Sequence, residues 1–245
     1  MNQGSFTIIE NTPLTGSVYR MRLAGDTSAI TAPGQFINLR LDGFYLRRPI
    51  SVCDYDDSTV TVLYKILGQG TEYMTTLRSG AALDVLTGLG NGFDLSDAGE
   101  SPLLIGGGVG TPPMYRLCRE LIAAGKTPTV ILGFNTREEI FYEEEFMALG
   151  ARLILATADG SRGVKGFVTD AMVGLDYTYF YCCGPEAMLK AVWRAAKTSG
   201  QLSFEERMGC GFGACMGCSC KTITGYKRIC KDGPVLRKEE ILWDD

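Results

Sequence analysis

Hydrophobic and polar positions along residues 1–98 follow the period of two that is typical of β-strands. In residues 17–23, the apolar side chains Val18, Met21 and Leu23 stand against Arg20 and Arg22, which gives one dry and one wet face. Further runs of this kind, separated by turn residues, are residues 6–9, 35–39 and 59–64. The pattern predicts a small all-β barrel domain over residues 1–98, interrupted by one short helix near residues 70–77.

From residue 99 the period changes, and short apolar runs alternate with stretches of helical period. The apolar runs are residues 103–105, 129–132, 152–155 and 177–181, and the helical stretches are residues 112–124, 138–149, 166–172 and 185–196. Strands that alternate with helices are typical of a parallel sheet covered on both faces, so residues 99–200 are predicted to form an α/β nucleotide-binding domain. Residues 201–245 are rich in glycine and cysteine and predict a small, loop-rich third domain organised by a metal.

The composition narrows the chemistry that the chain can perform. It has 245 residues, a formal net charge of −4 and no histidine. His-based catalytic triads, His-ligated zinc, haem with a His ligand and Rieske clusters are therefore excluded. No run is apolar over the ~18–20 residues of a membrane span, no basic run points to nucleic acid or anionic lipid, and the N-terminus lacks the features of a signal peptide. We expect a cytosolic protein whose chemistry comes from cysteines, carboxylates or a cofactor.

Nine cysteines are present, an odd number, and five of them fall within residues 210–230. In a reducing compartment such a cluster predicts a metal site rather than disulfides. The spacing Cys210-x4-Cys215-x2-Cys218-x11-Cys230 is the plant-type ferredoxin arrangement, in which four thiolates hold a [2Fe–2S] cluster. The glycines among them let the backbone turn tightly and bring its N–H groups close to the sulfurs.

Cys220 is the residue that fits this pattern least well. It could replace Cys218 or Cys230 as a ligand, but its separation from Cys215 breaks the spacing, so it is left outside the predicted ligand set. A structural zinc site and unligated buried thiols are the competing interpretations of these cysteines. Zinc sites usually show two C-x2-C pairs, and this chain has one.

Residues 47–51, with the sequence Arg-Arg-Pro-Ile-Ser, lie between two β-runs and suggest a flavin site. An arginine at a strand edge can pair with a pyrophosphate, Pro49 fixes the backbone, and Ser51 can hydrogen-bond a flavin ring. Gly70 and Thr71 follow at the start of the short helix, where free N–H groups would face a phosphate. The pattern alone also fits an ordinary edge strand.

A glycine-rich turn follows the apolar run at residues 103–105. Residues 106–113 have the sequence Gly-Gly-Gly-Val-Gly-Thr-Pro-Pro, with Thr111 as the expected N-cap and Pro112 as the expected first helical residue. The N-terminus of that helix would then face a dinucleotide phosphate. Because residue 111 is Thr, the turn is not the G-x-G-x-x-G of a generic Rossmann domain.

These motifs resemble those of the ferredoxin–NADP reductase superfamily and occur in the same order. The resemblance also includes residues 63–65 and the Cys-Gly-Pro turn at residues 183–185. Over residues 5–236 the chain is similar to one branch, the electron-transfer subunits of NAD-dependent (class 1B) dihydroorotate dehydrogenases. The resemblance implies an FAD site made of Arg48, Pro49, Ile50, Ser51, Leu63, Tyr64, Lys65, Gly70 and Thr71. It implies an NAD site made of Gly107, Gly108, Gly110, Thr111, Cys183, Gly184 and Pro185. The [2Fe–2S] ligands would be Cys210, Cys215, Cys218 and Cys230.

The resemblance also implies an electron relay and a partner. Electrons would pass from the FMN of a dihydroorotate dehydrogenase catalytic subunit through the cluster and FAD to NAD⁺, in pyrimidine (UMP) biosynthesis. Two copies of each chain would form a heterotetramer. A flavin suits the middle position because it exchanges electrons singly or in pairs. No stretch of the sequence resembles an orotate site, so dihydroorotate oxidation would belong to the partner, and no catalytic side chain is predicted in this chain.

Three questions stay open at this stage. Arg137 could accept the 2′-phosphate of NADP, whereas Glu138 or Glu139 could repel it or bind a ribose hydroxyl. Cys182 and Cys183 could be two small core residues at a strand end. The function could instead be that of a diaphorase subunit in another complex, such as an NADH-dependent ferredoxin–NADP reductase or a hydrogenase, of a reductase that feeds an oxygenase, or of a zinc-stabilised binding module.

Overall fold

Six strands of the N-terminal region close into an antiparallel barrel in the computed structural model, which describes residues 1–243. The barrel strands, paired in the order β1-β2-β5-β4-β3-β6, are β1 (Asn2–Pro13), β2 (Val18–Ala24), β3 (Phe36–Leu39), β4 (Arg48–Tyr55), β5 (Thr59–Lys65) and β6 (Ala82–Leu89). The predicted dry face of β2 lies in the barrel core, where Met21 and Leu23 are fully buried. The sequence pattern did not predict β6, because Asp84 and Thr87 interrupt its apolar run. Residues 47–51 were expected between two strands, but residues 48–51 are the first part of β4. Helix α1 (Gln69–Thr76) lies where a short helix was expected.

Seven strands form the second sheet, which is parallel except for its last strand. In the order β10-β9-β8-β7-β11-β12-β15 they are β7 (Leu103–Gly107), β8 (Thr129–Phe134), β9 (Arg152–Thr157), β10 (Val164–Lys165), β11 (Phe180–Cys183), β12 (Gly200–Ser203) and β15 (Val235–Arg237). Successive residues of β7 face opposite sides: Leu104 packs with Leu117 of helix α2 (Thr111–Ala123), and Ile105 with Leu189 of helix α5 (Glu186–Ala195). Both faces are therefore covered, as the alternation of strands and helices predicts.

Two of the helices between these strands are much shorter than their sequence pattern suggested. Helices α3 (Glu143–Ala148) and α4 (Val168–Ala171) replace the expected stretches 138–149 and 166–172. In the first case Tyr142 takes a left-handed conformation with φ 65°, so the preceding residues form only a 3₁₀ turn, Arg137–Glu139. Strand β11 begins three residues later than the expected start of its apolar run at residue 177.

The cysteine segment, which we define as residues 205–232, forms a loop and one hairpin between β12 and β15. The hairpin consists of β13 (Ser219–Thr222) and β14 (Gly225–Arg228). Since β12 and β15 both belong to the second sheet, the segment is inserted between neighbouring strands of that sheet. The domain limits at residues 98 and 200 remain predictions.

A polar network fixes the barrel against the second sheet. Arg116 of α2 donates to Asp54 Oδ1 of β4 at 3.1 Å, and its guanidinium lies 3.9 Å from the ring centre of Tyr55. Arg119 donates to the other oxygen of Asp54 at 2.9 Å. These bonds hold α2 on β4, so that the carboxyl ends of β7, β8 and β11 face the barrel. Within the described residues, no helix combines the length and the apolar character needed to cross a membrane.

Candidate functional site

A cavity of about 1600 Å³ lies between the barrel and the carboxyl ends of the parallel strands. A drug-sized ligand typically occupies a pocket of ~300–1,000 Å³, so this cavity has room for more than one such ligand. Most of the predicted cofactor residues line it: Arg48, Pro49, Ile50, Ser51, Leu63, Tyr64, Lys65, Thr71, Gly107, Gly108, Gly110, Cys183, Gly184 and Pro185. Gly70 and Thr111 are the two predicted residues that do not line its wall.

The barrel side of the cavity is built around Arg48. Its guanidinium lies 4.9 Å from the ring centre of Phe44 and against the first turn of α1. A Cβ at Gly70 would lie 2.1 Å from Arg48 Nε, so a glycine is needed there for this approach. The arrangement places a fixed cation beside the N-terminus of α1, as an anionic pyrophosphate would require.

Arg47 and Tyr64 have structural partners that the sequence did not reveal. Arg47 donates to the Asp84 carboxylate at 2.8 Å and to the backbone oxygens of Asp84 and Asn38, at 3.0 and 3.3 Å. Tyr64 donates its hydroxyl to Asn11 Oδ1 at 2.9 Å, and burial raises the pKa of this phenol to about 12. Asn11 in turn donates to the carbonyl of Met74 in α1 at 2.8 Å. Of the two adjacent arginines, Arg48 is therefore the one whose charge is left for a ligand.

Three side chains that sequence analysis missed, Tyr45, Leu46 and Leu67, also line the barrel side of the cavity, and Tyr45 is fully exposed. The signal that could have found them is their position beside the Arg-Arg pair and the start of α1. Apolar side chains left in solvent next to a cation are suited to cover the flat face of a bound ring.

The sheet side of the cavity is formed where two glycine turns meet. Strands β7 and β11 are parallel neighbours, with Gly106 opposite Cys183. A Cβ at Gly110 would lie 2.1 Å from the Cys183 carbonyl oxygen and 2.6 Å from Gly184 N, so only glycine fits there. The turn after β7 and the turn after β11 thereby form one continuous backbone wall.

Thr111 is the first residue of α2 and not its N-cap, so that expectation is wrong. The 3₁₀ turn Gly108–Gly110 brings the chain into helical geometry early, and Thr111 already has φ −61° and ψ −42°. Its hydroxyl is buried without a hydrogen-bond partner among the described residues. Thr111 does not line the cavity, and its predicted contact with the dinucleotide stays a prediction.

Cys183 presents a neutral thiol to the cavity. Burial raises its pKa to about 12, and the opposing effect of its hydrogen bond with Ser203 is smaller. Cys182 is buried on the other side of β11 and packs in the core with α5. The two adjacent cysteines therefore differ in environment, and Cys183 is the one that lines the cavity.

Glu139 and Asn135 line the cavity at the carboxyl end of β8. Asn135 Nδ2 donates to Glu139 Oε2 at 2.9 Å, which holds this carboxylate in place. Glu138 instead accepts from the Thr136 hydroxyl at 2.7 Å, and the Arg137 backbone N–H binds Ser161 Oγ. Neither Arg137 nor Glu138 lines the cavity.

The four predicted cluster ligands lie in two pairs. Cys215 pairs with Cys210 through its backbone N–H, 3.4 Å from Cys210 Sγ, and Cys230 pairs with Cys218 in the same way, at 3.4 Å. In residues 1–243 no three cysteine, aspartate or glutamate side chains converge as a site for a single metal ion. In a [2Fe–2S] cluster each of the two irons takes a pair of protein ligands, whereas one tetrahedral zinc takes four ligands at a single point. Two separate pairs of thiols therefore match the [2Fe–2S] cluster better than zinc.

Backbone N–H groups already point at the sulfurs. Ala214 N and Cys215 N lie 3.2 and 3.4 Å from Cys210 Sγ, and Cys230 N lies 3.4 Å from Cys218 Sγ. Burial tends to raise the pKa of Cys210, but the backbone N–H groups of Phe212, Cys215 and Ala214 outweigh it and lower that pKa to about 6. Burial and the neighbouring Cys218 raise the pKa of Cys230 to about 12. Cysteine sulfurs that accept backbone N–H groups are what an iron–sulfur cluster requires, so the residues present fit the group.

Cys220 lies in strand β13, opposite Lys227, and lines the large cavity. Burial raises the pKa of its thiol, and the nearby Glu206 raises it further. It takes part in neither thiol pair.

The barrel and the cysteine segment meet at Asn38 of β3. Asn38 lies opposite Pro49 of β4, and its buried Nδ2 donates to the Cys210 carbonyl at 3.4 Å. Gly211 takes φ +77°, and a Cβ there would lie 2.3 Å from Asn38 Nδ2. The predicted cluster ligands and the predicted flavin strand are therefore linked through a single side chain.

Comparison with known proteins agrees with this arrangement. The oxidoreductase NAD-binding domain matches residues 104–194, and the iron–sulfur cluster binding domain of dihydroorotate dehydrogenase B matches residues 205–242. The chain is 41% identical to the dihydroorotate dehydrogenase B (NAD(+)) electron transfer subunit of Geobacillus sp., over 99% of each chain. It is 40% identical to the subunit of the same name from Fusobacterium nucleatum, over 96% of each.

A solved structure extends the comparison to the fold. The NADH-dependent reduced ferredoxin-NADP oxidoreductase involved in flavin-based electron bifurcation contains a chain that is 28% identical, with a TM-score of 0.88 over 97% of this chain and 90% of that one. The sequence relatives match at higher identity and over their full length. The chain belongs to the family of dihydroorotate dehydrogenase B electron transfer subunits.

Proposed function

We propose that this chain carries electrons from the oxidation of dihydroorotate to NAD⁺, as the electron-transfer subunit beside a separate FMN-containing catalytic subunit in pyrimidine biosynthesis. The observation that carries the proposal is the contact at Asn38, because it joins the thiol pairs to the strand that lines the large cavity. The family membership supports the choice of dihydroorotate as the source of electrons.

Three groups would divide the work: a [2Fe–2S] cluster carries single electrons, a flavin exchanges them singly or in pairs, and a nicotinamide accepts a pair. The chain's own residues bind and orient these groups. Arg48 would neutralise the FAD pyrophosphate, and Pro49 and Ser51 on the same strand would fix the ring system. Cys183 and Gly184, opposite them, would hold the nicotinamide, and the neutral thiol of Cys183 adds no charge there.

We propose that Glu139 makes the cavity select NAD over NADP. Its carboxylate is held by Asn135 at the carboxyl end of the second strand of the sheet fold, where a dinucleotide's adenosine ribose is bound in related α/β folds. A carboxylate can accept a hydrogen bond from a ribose hydroxyl, and it repels a 2′-phosphate. Glu139→Gln should narrow the ratio of kcat/KM for NADH over NADPH by about tenfold, and Glu138→Gln, the matched control, should leave it unchanged.

Reconstitution with the proposed partner tests the function. The chain should co-purify with an FMN protein of about 30–35 kDa, the size of a TIM barrel, and the complex should reduce NAD⁺ with dihydroorotate. The likeness to the NADH-dependent ferredoxin–NADP oxidoreductase favours a second candidate, a diaphorase subunit of another complex. Reduction of ferredoxin or NADP⁺ by NADH, with no response to dihydroorotate, would decide for that alternative.

We further propose that the protein works in the cytosol. None of the nine cysteines, all of which lie within the described residues, forms a disulfide, as expected in a reducing compartment. Fractionation of the native cells should recover the complex with the cytosolic enzymes.

A further inference from the structure

Arg228 and Asp232 close the turn that carries Cys230. The Arg228 carbonyl accepts from Asp232 N at 2.7 Å, while the Asp232 carboxylate accepts from Arg228 N at 2.9 Å and from Arg228 Nε at 3.1 Å. Backbone and side chains thus bond reciprocally across residues 228–232. Within this turn, Cys230 N points at Cys218 Sγ, at 3.4 Å.

The same guanidinium reaches the other pair of thiols. Arg228 Nη1 donates to the Gly213 carbonyl at 2.8 Å. The peptide group that follows Gly213 is planar, and its N–H, on Ala214, lies 3.2 Å from Cys210 Sγ. Arg228 therefore polarises and orients a peptide that donates to one thiol pair, while its own turn holds the donor to the other.

The charge of Arg228 lies close to the thiols as well. Arg228 is opposite Ser219 of β13, the residue next to Cys218, and the N–H of the following residue, Ile229, donates to the Cys218 carbonyl at 3.0 Å. The Arg228 guanidinium is partly exposed, and Asp232, its partner at 3.1 Å, brings an opposite charge to the same place. The site consequently has one cation and one anion whose effects on the sulfurs oppose each other.

We propose that the Arg228–Asp232 ion pair sets the reduction potential of the [2Fe–2S] centre, with Arg228 favouring the reduced state and Asp232 the oxidised state. Both are positioning residues, and the inference rests on the proposed function, because it takes the four cysteines to hold that cluster. Reduction brings one electron into the site and makes it one unit more negative, with no bond broken and no proton required. A nearby cation stabilises that added charge and a nearby anion destabilises it.

The two members of the pair predict shifts of opposite sign. In Arg228→Gln, the Asp232 carboxylate is left unbalanced and the potential should fall. In Asp232→Asn, the guanidinium is left unbalanced and the potential should rise. Each change should alter the ratio of reduced to oxidised cluster at fixed potential by about three- to tenfold, and tenfold corresponds to about 59 mV for a one-electron couple. The double variant should return towards the wild-type potential.

The test is a dithionite titration of the full-length holoprotein, followed by electron paramagnetic resonance of the reduced cluster. Lys227→Gln is the matched control, because it removes the same charge from the neighbouring residue of β14, whose ammonium binds Glu240 at 2.8 Å on the other side of the strand. Lys227→Gln should change the ratio of reduced to oxidised cluster at fixed potential by less than twofold. Arg228→Lys keeps the charge and should keep the potential near the wild-type value, even if iron is lost faster because the Gly213 bond is weakened.

Opposite shifts in Arg228→Gln and Asp232→Asn, with little change in the control, support the proposal. Shifts of the same sign, or none in either variant, overturn it. If Arg228→Gln fails to retain iron, the sign in Asp232→Asn still decides. Wild-type protein that binds no iron at all would contradict the proposed function, and this outcome is visible in the metal content before any potential is measured.

Discussion

The barrel and sheet framework and the cysteine segment are stabilised in different ways. In the framework, β-strand and helix residues such as Met21, Ile37 and Leu117 are fully buried, and the cofactor cavity lies between two well-packed cores. In the cysteine segment, Phe212 and Tyr226 are 45% and 71% exposed, and apart from Ile229 and its buried cysteine neighbours, which pack on the second core, the loop is held by polar bonds. Apolar burial can stabilise the framework alone, whereas a segment this short depends on its metal. The two regions should therefore respond differently to substitution.

The largest expected effect is that of Cys215→Ser, which should abolish the function of the cysteine segment and leave that of the framework. Cys215→Ser removes one ligand of the proposed cluster, so cluster absorption and electron exchange with the partner should be lost. NADH oxidation with a dye that accepts electrons from FAD should continue, because the cavity is built by the framework. The visible spectrum and the two activities provide the measurement. Parallel loss of dye reduction would show that the framework also depends on the metal.

Cys220→Ser is the control for this experiment. Cys220 belongs to neither thiol pair and faces the cavity. The cluster bands should stay intact in this variant. Their disappearance would make Cys220 a ligand and would overturn the predicted set.

The next effect falls on the framework alone. In Gly110→Ala the new Cβ would lie 2.1 Å from the backbone oxygen of Cys183, which cannot move as a side chain can. We expect a loss of stability of about 1–3 kcal/mol from overpacking, with a raised KM for NADH. In the control Gly107→Ala the new Cβ meets Met188 Sδ at 2.3 Å, and this flexible side chain can turn away. Equal thermal unfolding midpoints in Gly110→Ala and Gly107→Ala would contradict the prediction, because they would mean that the contact with the Cys183 carbonyl does not destabilise the fold.

These glycines show what the sequence could reveal. Glycine turns, the strand period and the cysteine spacing are local signals, and they predicted the barrel, the parallel sheet and the candidate cluster ligands. The full set of residues around the cavity was implied by the family resemblance. The sequence could not show which partner each polar side chain takes in three dimensions. Arg47 and Arg48 look alike in the motif, but Asp84, thirty-six residues from Arg48, binds only Arg47 of the two. Likewise the role of Asn38 depends on a loop 172 residues away.

Asn38→Leu tests the contact between the two regions. The side chain has nearly the same size, the bond to the Cys210 carbonyl is lost, and the buried Oδ1, which lacks a partner among the described residues, is removed as well. The barrel should keep its stability, while the cluster loop loses a hydrogen bond worth about 1 kcal/mol. Iron should then be lost to a chelator about fivefold faster.

Thr87→Val is the matched control for this substitution. Thr87 is a buried polar residue of strand β6 whose hydroxyl also lacks a partner among residues 1–243. Thr87→Val should leave the rate of iron release unchanged. Equal rates in Asn38→Leu and the wild type would mean that the loop is held without this contact.

The smallest effect concerns the ion pair that closes the barrel. The hydrogen bond from Arg47, with a further one from Gln3, lowers the pKa of Asp84 below its ordinary value of 3.8. A carboxylate whose pKa is lower in the folded state stabilises that state above the ordinary value, and this stabilisation is lost as the pH falls through the lowered pKa. Asp84→Asn should therefore cost about 1 kcal/mol at pH 7.

The pH dependence of this cost distinguishes charge from packing. The difference in urea midpoint between wild type and Asp84→Asn should shrink as the pH approaches and passes below 3.8. Glu100→Gln is the control, because it weakens the ion pair between Lys126 and the largely exposed Glu100 carboxylate. Its urea midpoint at pH 7 should differ less from the wild-type value than that of Asp84→Asn. A difference for Asp84→Asn that stayed constant with pH would mean that Arg47 holds the barrel through its bonds to the Asn38 and Asp84 carbonyls. Strand β4 would then be fixed by the bonds from Arg47 to backbone carbonyls, and the charge of Asp84 would not contribute to the stability of the framework.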